Sequence, residues 1–311
     1  MPISTITNTF AGNPLDRCSD KRPKAEWMSD RINDPESLAV AIWNGKPLVE
    51  TGVAGKSGQQ IAYLPVSLAR KVAGNDERLL FLGLWKEIAV FAVDLESSVD
   101  PTDGPLSGFG RFEDLRTIAL TLPEADAAIL ATAKGVFEWR SKHLYCSNCG
   151  QPSIAVDGGW KRVCESCKTE HFPRTDPVVI MLPIFGDKCL MGRQAIWPKG
   201  MFSALAGFLE PGESIEEACA RELKEEAGLT ATKVSYHSTQ PWPYPSSLMI
   251  GLLAEVADDY AEPDLEELDE VRWFTKDETR ALLRGELKGT FAPGAMAIAH
   301  QLIKAWAEEG L

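Results

Sequence analysis

Residues 207–229, GFLEPGESIEEACARELKEEAGL, decide how the rest of the chain is interpreted. Ser214 is a favourable N-cap for a helix, and Glu217, three residues later, completes a capping box. Gly228 can end the helix because glycine readily adopts the left-handed conformation. Together these signals predict a helix from Ile215 to Ala227.

This predicted helix carries acidic side chains on the side that should face the interior. At about 100° per residue, its apolar stripe consists of Ile215, Ala218, Cys219 and Leu223. Glu222 and Glu226 fall inside that stripe, one turn apart, and Glu225 lies on its flank. Two inward carboxylates repel each other and lose hydration, so they need a counter-charge. Mg²⁺ or Mn²⁺ can supply it, because a hard divalent cation binds carboxylate oxygens and keeps positions open for phosphate. A solvated acidic helix, the alternative, would carry its charges outward.

The size and charge of the chain limit its class. With 311 residues it should form about two domains and bury a sizeable core. Its net charge of −13 argues against general binding of DNA or other polyanions, which needs many Lys or Arg contacts. We find no apolar run that could span a bilayer and no secretory signal, and therefore expect a cytoplasmic protein.

The first part of the chain predicts a small α+β domain. Residues 1 to about 35 should form an extended or partly helical lead-in. Two β-hairpins and a long helix follow, with expected ranges Leu38–Trp43 with 46–49, 79–84 with 88–94, and 124–143. Residues 52–60 should form a glycine-rich loop. Its GVAGKSG suggests a phosphate-binding loop but lacks the required spacing, so none is assigned.

Four of the seven cysteines form two close pairs, Cys146-x2-Cys149 and, fourteen residues later, Cys164-x2-Cys167. This spacing is typical of a zinc ribbon, in which four thiolates hold one structural Zn²⁺ and leave no open position for chemistry. The alternative of two disulfides requires an exporting context. The remaining cysteines should be reduced and buried: Cys18, Cys189 and Cys219.

Basic residues cluster in sequence around the cysteine pairs, although the chain is acidic overall. They are Lys142, His143, Lys161, Arg162, Lys168, His171 and Arg174. Such a cluster could bind a phosphate or an RNA backbone, or it could be ordinary solubilising charge. The sequence leaves both interpretations open.

Residues 239–247, TQPWPYPSS, form the second informative stretch of the C-terminal half. Three prolines alternate with two aromatic residues, which predicts a stiff, mostly extended backbone. A rigid aromatic loop makes a good stacking platform for a planar ring. The alternative is a proline-rich edge strand packed on the core.

Two of these motifs resemble those of a known family. Gly207, Glu213, Arg221-Glu222-Leu223, Glu225-Glu226 and Gly228-Leu229 stand at the spacing of a complete Nudix box. Residues 239–247 resemble the SQPWPFPxS signature of the NADH pyrophosphatase branch of Nudix hydrolases, with Thr239 for Ser and Tyr244 for Phe. The similarity covers about residues 110 to 305 and includes the four cysteines.

The resemblance implies an α+β protein with three parts. An N-terminal α+β domain would occupy residues 1–140, a four-Cys zinc ribbon 141–172, and a Nudix α/β/α sandwich with a mixed sheet 173–311. The family implies hydrolysis of NAD(H) to NMN(H) and AMP, removal of NAD caps from RNA, and a homodimer.

The resemblance also implies site residues. The Mg²⁺ or Mn²⁺ ligands would be the Ala206 carbonyl, Glu222, Glu225, Glu226 and Glu267, with Glu225 either a ligand or a base. From the sequence alone, Asp264, Glu266, Asp269 and Glu270 compete with Glu267. Arg221 should pair with a neighbouring glutamate. Substrate contacts would come from Phe172, where the family usually has Tyr, and from Gln240, Pro241, Trp242, Pro243, Tyr244, Pro245, Ser246, Ser247 and Ala299.

We therefore expect metal-assisted hydrolysis of a pyrophosphate bond, in which about two or three Mg²⁺ or Mn²⁺ ions activate a water. Either Glu225 or Glu226 could orient or deprotonate that water. Two alternatives remain open at this point. The substrate could be ADP-ribose or a diadenosine polyphosphate, or the chain could be a non-catalytic zinc-ribbon protein that binds RNA or nucleotides.

Overall fold

The computed structural model describes residues 8–51 and 58–309, which form two compact units. The first unit contains Phe10–Thr175 and Trp242–Ser246. The second contains Asn8 and Thr9, Asp176–Pro241 and the chain from Ser247 onward. Most of the GVAGKSG segment lies outside the described residues, so the loop expected there stays a prediction. Within the described ranges, no helix has the length and apolarity needed to cross a membrane.

The elements of the first unit that precede the cysteine pairs form one mixed sheet with helices packed on it. They are α1 (Ala25–Asn33), β1 (Leu38–Trp43), β2 (Lys46–Thr51), β3 (Gln59–Ile61), β4 (Tyr63–Pro65), α2 (Val66–Ala73), β5 (Leu79–Trp85), β6 (Ile88–Leu95), β7 (Arg111–Phe112), α3 (Leu115–Ile118) and α4 (Glu124–Lys142). The sheet order is β3-β2-β1-β6-β5, with β4 also paired to β1 and β7 to β2. Both predicted hairpins and the long helix are confirmed.

Alternation along β1 divides the core of this unit between two faces. Ala39 and Ala41 join a cluster that includes Ala69 of α2, whereas Val40 and Ile42 are equally buried but lie outside that cluster. Successive side chains of a strand point to opposite faces of a sheet, so both faces of β1 are covered. Helix α4 packs against β5.

The lead-in before β1 is more closely packed than the sequence suggested. Besides α1, it contributes Phe10, Leu15 and Cys18 to the interior. Asp16 forms a β-bridge with Leu84 through backbone hydrogen bonds of 3.0 and 2.8 Å. The lead-in is therefore partly helical, as expected, and anchored to the sheet.

The cysteine pairs flank the strands of a small antiparallel sheet, which completes the first unit. Its strands are β8 (Ser153–Val156), β9 (Lys161–Cys164) and β10 (Glu170–His171), in the order β10-β9-β8.

The second unit is a mixed sheet between two helical layers. Its elements are β11 (Asp176–Phe185), β12 (Lys188–Arg193), β13 (Leu205–Phe208), α5 (Ile215–Ala227), β14 (Ala231–Trp242), β15 (Ser247–Val256), β16 (Glu270–Thr275), α6 (Lys276–Leu283) and α7 (Ile298–Glu309). The order is β14-β15-β11-β12-β16, with β13 also paired to β11. The central pair, β11 with β15, is parallel over nine residues.

Alternation along β11 also explains the layers of the second unit. Val179 and Met181 join the core cluster of α5, whereas Leu182, on the other face, joins the cluster that contains Ile303 and Trp306 of α7. The predicted α/β/α sandwich with a mixed sheet is thus confirmed.

The two units share a strand-pairing pattern that the sequence did not reveal. In the first, β1 pairs antiparallel with β2 and β4 and parallel with β6, and β2 pairs antiparallel with β7. In the second, β11 pairs antiparallel with β12 and β13 and parallel with β15, and β12 pairs antiparallel with β16. Helix α2 follows β4 in the first unit, as α5 follows β13 in the second. The domain predicted only as small α+β therefore repeats the topology of the second.

Candidate active site

Helix α5 begins and ends where the sequence predicted. The Ser214 Oγ accepts a hydrogen bond from the Glu217 N–H at 3.2 Å, and the Glu217 carboxylate accepts one from the Ser214 N–H at 2.8 Å. Gly228 ends the helix at φ 70°. The predicted capping box and glycine stop are confirmed.

Glu222 and Glu226 point into the interior from this helix. Their exposures are 8% and 3%, comparable with those of the apolar residues in the same stripe. The predicted inward placement is confirmed. Burying two carboxylates on neighbouring turns costs free energy unless a cation compensates them.

Gly207 allows the backbone to lie directly against Glu222. A Cβ at this position would be 1.8 Å from the Glu222 Cδ and about as close to both carboxylate oxygens. Strand β13 is held there by its pairing with β11, with Ala206 opposite Ile180 and Gly207 opposite Val179. Only glycine fits, and the Ala206 peptide adjoins the carboxylate.

Arg221 holds three glutamates in place. Its guanidinium donates to both oxygens of Glu213 at 2.6 and 2.9 Å, to Glu222 Oε1 at 2.8 Å and to Glu225 Oε2 at 3.0 Å. It also donates to the Phe208 carbonyl at 2.9 Å. The hydrogen bonds from Arg221 lower the pKa of Glu213 to about 2. Pairing of Arg221 with neighbouring glutamates is confirmed, and its bidentate partner is Glu213.

The electrostatics of the helix favour a bound cation. Burial, followed by repulsion from Glu222 and Glu267, raises the pKa of Glu226 to about 8. Burial also raises the pKa of Glu222, although Arg221 opposes this shift. The Glu226 Oε2 atom is buried and accepts no hydrogen bond. An orphaned buried carboxylate oxygen beside a glycine cradle fits the coordination of a hard divalent cation.

The acidic residues after β15 occupy different positions. Asp264 Oδ1 accepts backbone N–H groups of its own turn, including that of Leu268 at 2.9 Å, and Asp269 pairs with Arg193. Glu267 is exposed and raises the pKa of both Glu222 and Glu226. Within the described ranges, no three carboxylates bring oxygens within 4.8 Å of one another. The position of Glu267 supports its assignment, which stays a prediction.

The four paired cysteines converge on one point. Their sulfur atoms lie within 4.8 Å of one another, and Cys146–Cys167 and Cys149–Cys164 are each separated by 3.5 Å. A tetrahedral Zn²⁺ with sulfur ligands at about 2.3 Å would need sulfur separations of about 3.8 Å. The thiols therefore fit a structural zinc ion.

Each cysteine pair lies on a turn of the same construction. The Gly150 N–H donates to the Cys146 carbonyl and the Lys168 N–H to the Cys164 carbonyl, both at 2.9 Å. Gly150 and Lys168 both have positive φ, 73° and 63°. Repeated turns of this kind aim four sulfur atoms inward, whereas disulfides would pair them; all seven cysteines are free.

The prediction of a mostly extended Pro–aromatic segment, residues 239–247, is confirmed only in part. Strand β14 ends at Trp242, residues 243–246 form a turn, and β15 begins at Ser247. The Tyr244 N–H donates to the Trp242 carbonyl at 2.8 Å, and the Tyr244–Pro245 peptide is cis. Alternating prolines restrict φ but do not stop the chain from turning.

Gln240 is completely buried in the second unit and holds the backbone around it. Its amide nitrogen donates to the Thr9 and Met296 carbonyls at 3.1 and 2.7 Å, and its oxygen accepts the Ile298 N–H at 2.8 Å. It therefore fixes the start of α7, where Ala299 is also buried at 3% exposure. The substrate contacts of Gln240 and Ala299 stay predictions.

Comparison with known proteins places this geometry in a family. Residues 174–292 match the NUDIX domain, 36–139 the NADH pyrophosphatase-like rudimentary NUDIX domain, and 141–172 the NADH pyrophosphatase zinc ribbon domain. The chain is 36% identical to NAD-capped RNA hydrolase NUDT12 of Homo sapiens over 342 residues, covering 98% of this chain and 74% of the relative. The chain belongs to the NADH pyrophosphatase branch of the Nudix hydrolase family.

Two further relatives of this Nudix chain carry related names. NAD(P)H pyrophosphatase NUDT13 of Mus musculus is 41% identical over 269 residues, which cover 83% of this chain and 76% of the relative. NAD-capped RNA hydrolase NudC of Mycobacterium bovis is 33% identical over 299 residues, which cover 90% of this chain and 91% of the relative.

The aromatic side chains of the Pro–aromatic segment contact residues that are distant in sequence. Within the first unit, Trp242 and Tyr244 contact each other edge-on at 5.4 Å between ring centroids. The Phe10 ring centroid lies 6.1 Å from that of Trp242 and 6.2 Å from that of Tyr244. The Arg116 guanidinium lies over both the Trp242 and the Tyr244 ring. No local pattern points to Phe10 or Arg116, because each is more than a hundred residues from the motif. Phe172 is 63% exposed, which leaves its ring available for stacking.

The basic residues around the ribbon of this Nudix chain are largely occupied. Lys161 pairs with Asp157 at 3.1 Å and with Glu170 at 2.9 Å. Arg162 is buried and donates to Ser153 Oγ at 2.9 Å. Of the two interpretations left open, structural charge accounts for these members of the cluster.

Proposed function

We propose that the chain hydrolyses the pyrophosphate bond of NAD(H), releasing NMN(H) and AMP, and removes NAD caps from RNA 5′ ends. The observation that carries this proposal is the buried pair Glu222 and Glu226 beside Gly207, with an unpartnered oxygen on Glu226. The ribbon, the Pro–aromatic segment and the names of the relatives support the substrate class.

The proposal assigns the metal-binding positions to Glu222, Glu226, Glu267 and the Ala206 carbonyl. Divalent cations at such a site, about two or three Mg²⁺ or Mn²⁺ ions, supply Lewis-acid activation of water and of the diphosphate. Arg221 orients Glu222 through Oε1 and Glu225 through Oε2. These contacts keep the carboxylates in place while the substrate binds.

Glu225 is the proposed proton acceptor. It lies on the flank of the helix with 59% of its side chain exposed, and only one of its oxygens is held by Arg221. Its other oxygen is not held by Arg221, whereas Glu226 is enclosed among like charges. A Glu225→Gln protein should therefore lose most of its kcat while still binding Mg²⁺.

The expected homodimer and the preference for Mg²⁺ or Mn²⁺ belong to this proposal. Light scattering coupled to size exclusion measures the first, and activation by each chloride salt measures the second. A monomeric, fully active protein would remove the dimer from the proposal without affecting the hydrolysis.

The deciding experiment compares initial rates on NADH, NAD-capped RNA and ADP-ribose at one Mg²⁺ or Mn²⁺ concentration. The proposal expects NMNH and AMP from NADH and a 5′-monophosphate RNA from the capped RNA. Faster hydrolysis of ADP-ribose would assign another Nudix substrate. Tight NAD binding without turnover would indicate a non-catalytic protein.

A further inference from the structure

Five side chains of the first unit form a cation–aromatic cluster: Phe10, Arg116, Lys134, Trp242 and Tyr244. The Arg116 guanidinium carbon lies 4.3 Å from the Tyr244 ring centroid and 5.7 Å from that of Trp242. The Lys134 ammonium lies 5.5 Å from the Tyr244 ring. Two cations therefore lie over the same aromatic ring, Tyr244, of the Pro–aromatic segment.

Among the described residues, neither cation is neutralised by an ion pair. In the described part of the chain, Arg116 and Lys134 form no salt bridge with a carboxylate, although the chain carries a net charge of −13. Asp114 is close in sequence, but its Oδ1 caps α3 by accepting the Arg116 N–H at 2.8 Å. Arg116 is exposed and Lys134 is half-buried.

Arg116 and Lys134 outnumber the one acid that acts on the Tyr244 ring, Asp114, whose charge adds to burial in raising the pKa of Tyr244. The Tyr244 hydroxyl is enclosed, so it offers nothing to a ligand from solution. Unpaired Arg and Lys next to aromatic rings are the combination that binds single-stranded nucleic acid, through phosphates and stacked bases.

We propose that Arg116 and Lys134 bind phosphates of the RNA chain beyond the NAD cap. This inference rests on the proposed function and names the part of its substrate that the cluster recognises. In the proposed function, the metal ions bound by the glutamates neutralise the diphosphate of the dinucleotide. Free NAD(H) has no phosphodiester beyond that diphosphate, so it offers nothing for Arg116 and Lys134 to bind. The cluster therefore discriminates capped RNA from free dinucleotide.

The test uses Arg116→Gln, Lys134→Gln and the double variant of the full chain. Arg111→Gln is the matched control, because Arg111 is an exposed arginine of the same unit that already pairs with Glu113. Anisotropy of a 3′-labelled NAD-capped RNA in EDTA gives Kd at several salt concentrations, and turnover in Mg²⁺ gives kcat/KM for capped RNA and NADH.

For the double variant, the slope of log Kd against log salt should fall by about 1.4, since each single-strand phosphate contact contributes about 0.7. Its kcat/KM for capped RNA should drop about tenfold or more at low salt, with less than about a twofold change for NADH. Arg116→Lys should retain the wild-type salt slope, because it retains the charge.

An unchanged salt slope in the double variant, or equal losses on NADH and capped RNA, would overturn the inference. So would an Arg116→Lys protein as defective as Arg116→Gln, because that result assigns Arg116 to packing on Tyr244. Absence of turnover in the wild type would refute the proposed function instead, while the RNA-binding slope would still decide this inference.

Discussion

In the first unit β1 pairs with β2, β4 and β6, and in the second unit β11 pairs in the same directions with β12, β13 and β15. Both sheets are covered by helices and filled by alternating apolar residues. Yet among the residues that the structure describes, the most deeply buried carboxylates are Glu222 and Glu226 of the second unit. The fold thus needs no catalytic residue to form.

The two units differ in strands β4 and β13 and in the segments that follow these strands. In the first unit, β4 contains no glycine and continues directly into α2, whose eight residues include no acid. In the second, β13 contains Gly207, a loop follows, and α5 has thirteen residues with five glutamates. The proposed metal site therefore depends on a close backbone approach and a longer acidic helix, both added to the sheet pattern that the two units share.

The largest expected effect is the loss of stability of the first unit when its zinc is removed. Removing zinc by Cys164→Ser should destabilise the first unit by several kcal/mol, because zinc binding contributes directly to folding free energy. Calorimetry should show its transition lowered by about 10 °C or more. Metal analysis should find one zinc per wild-type chain, and a wild-type protein equally stable without zinc would contradict a structural role.

Glu226→Gln should nearly abolish hydrolysis while leaving both units folded. Losing several kcal/mol of metal-dependent transition-state stabilisation lowers kcat/KM for NADH by about 10³-fold. Glu216→Gln is the control, since this glutamate lies exposed on the same helix. Wild-type turnover by folded Glu226→Gln protein would remove Glu226 from the site.

Gly207→Ala and Gly74→Ala compare glycines with different roles. A methyl group at Gly207 would displace Glu222, so kcat/KM should fall by about 100-fold, a loss of about 2.7 kcal/mol. Gly74 caps α2 at φ 80° with open space around it, so its substitution should cost about 1 kcal/mol of stability. Equal effects of the two variants on turnover would refute the distinction.

The smallest effect concerns stability without divalent metal. Because the pKa of Glu226 is raised from 4.5 to about 8, the folded state keeps a proton that the unfolded chain releases. Stability is therefore lost as pH rises from about 4.5 to 8, and Glu226→Gln should escape this loss. In EDTA, urea denaturation should find the variant more stable than wild type by about 1–3 kcal/mol at pH 8 and by much less at pH 5. The same advantage at both pH values would contradict the burial argument.

The sequence predicted α5 and its inward glutamates because all the signals are local. The Ser214 cap, the Gly228 stop and the helical period lie within twenty residues. The four cysteines were equally informative, since their spacing alone specifies two similar turns.

The repeated topology could not be predicted, because strand order and register depend on contacts between distant residues. The substrate contact of Gln240 stays a prediction, and the sequence did not reveal that its buried amide holds Thr9, Met296 and Ile298. The turn at 243–246 and the cations over Tyr244 were also missed, since Arg116 lies more than a hundred residues earlier.

Crystals grown with Mn²⁺ would test most directly whether one copy of the fold holds the catalytic metal. Anomalous scattering measured near the manganese absorption edge locates the ion directly, so no residue has to be assumed in advance to be a ligand. Peaks should lie within bonding distance of Glu222 and Glu226 and be absent beside α2. Manganese bound in the first unit, or no manganese at those two glutamates, would contradict the account.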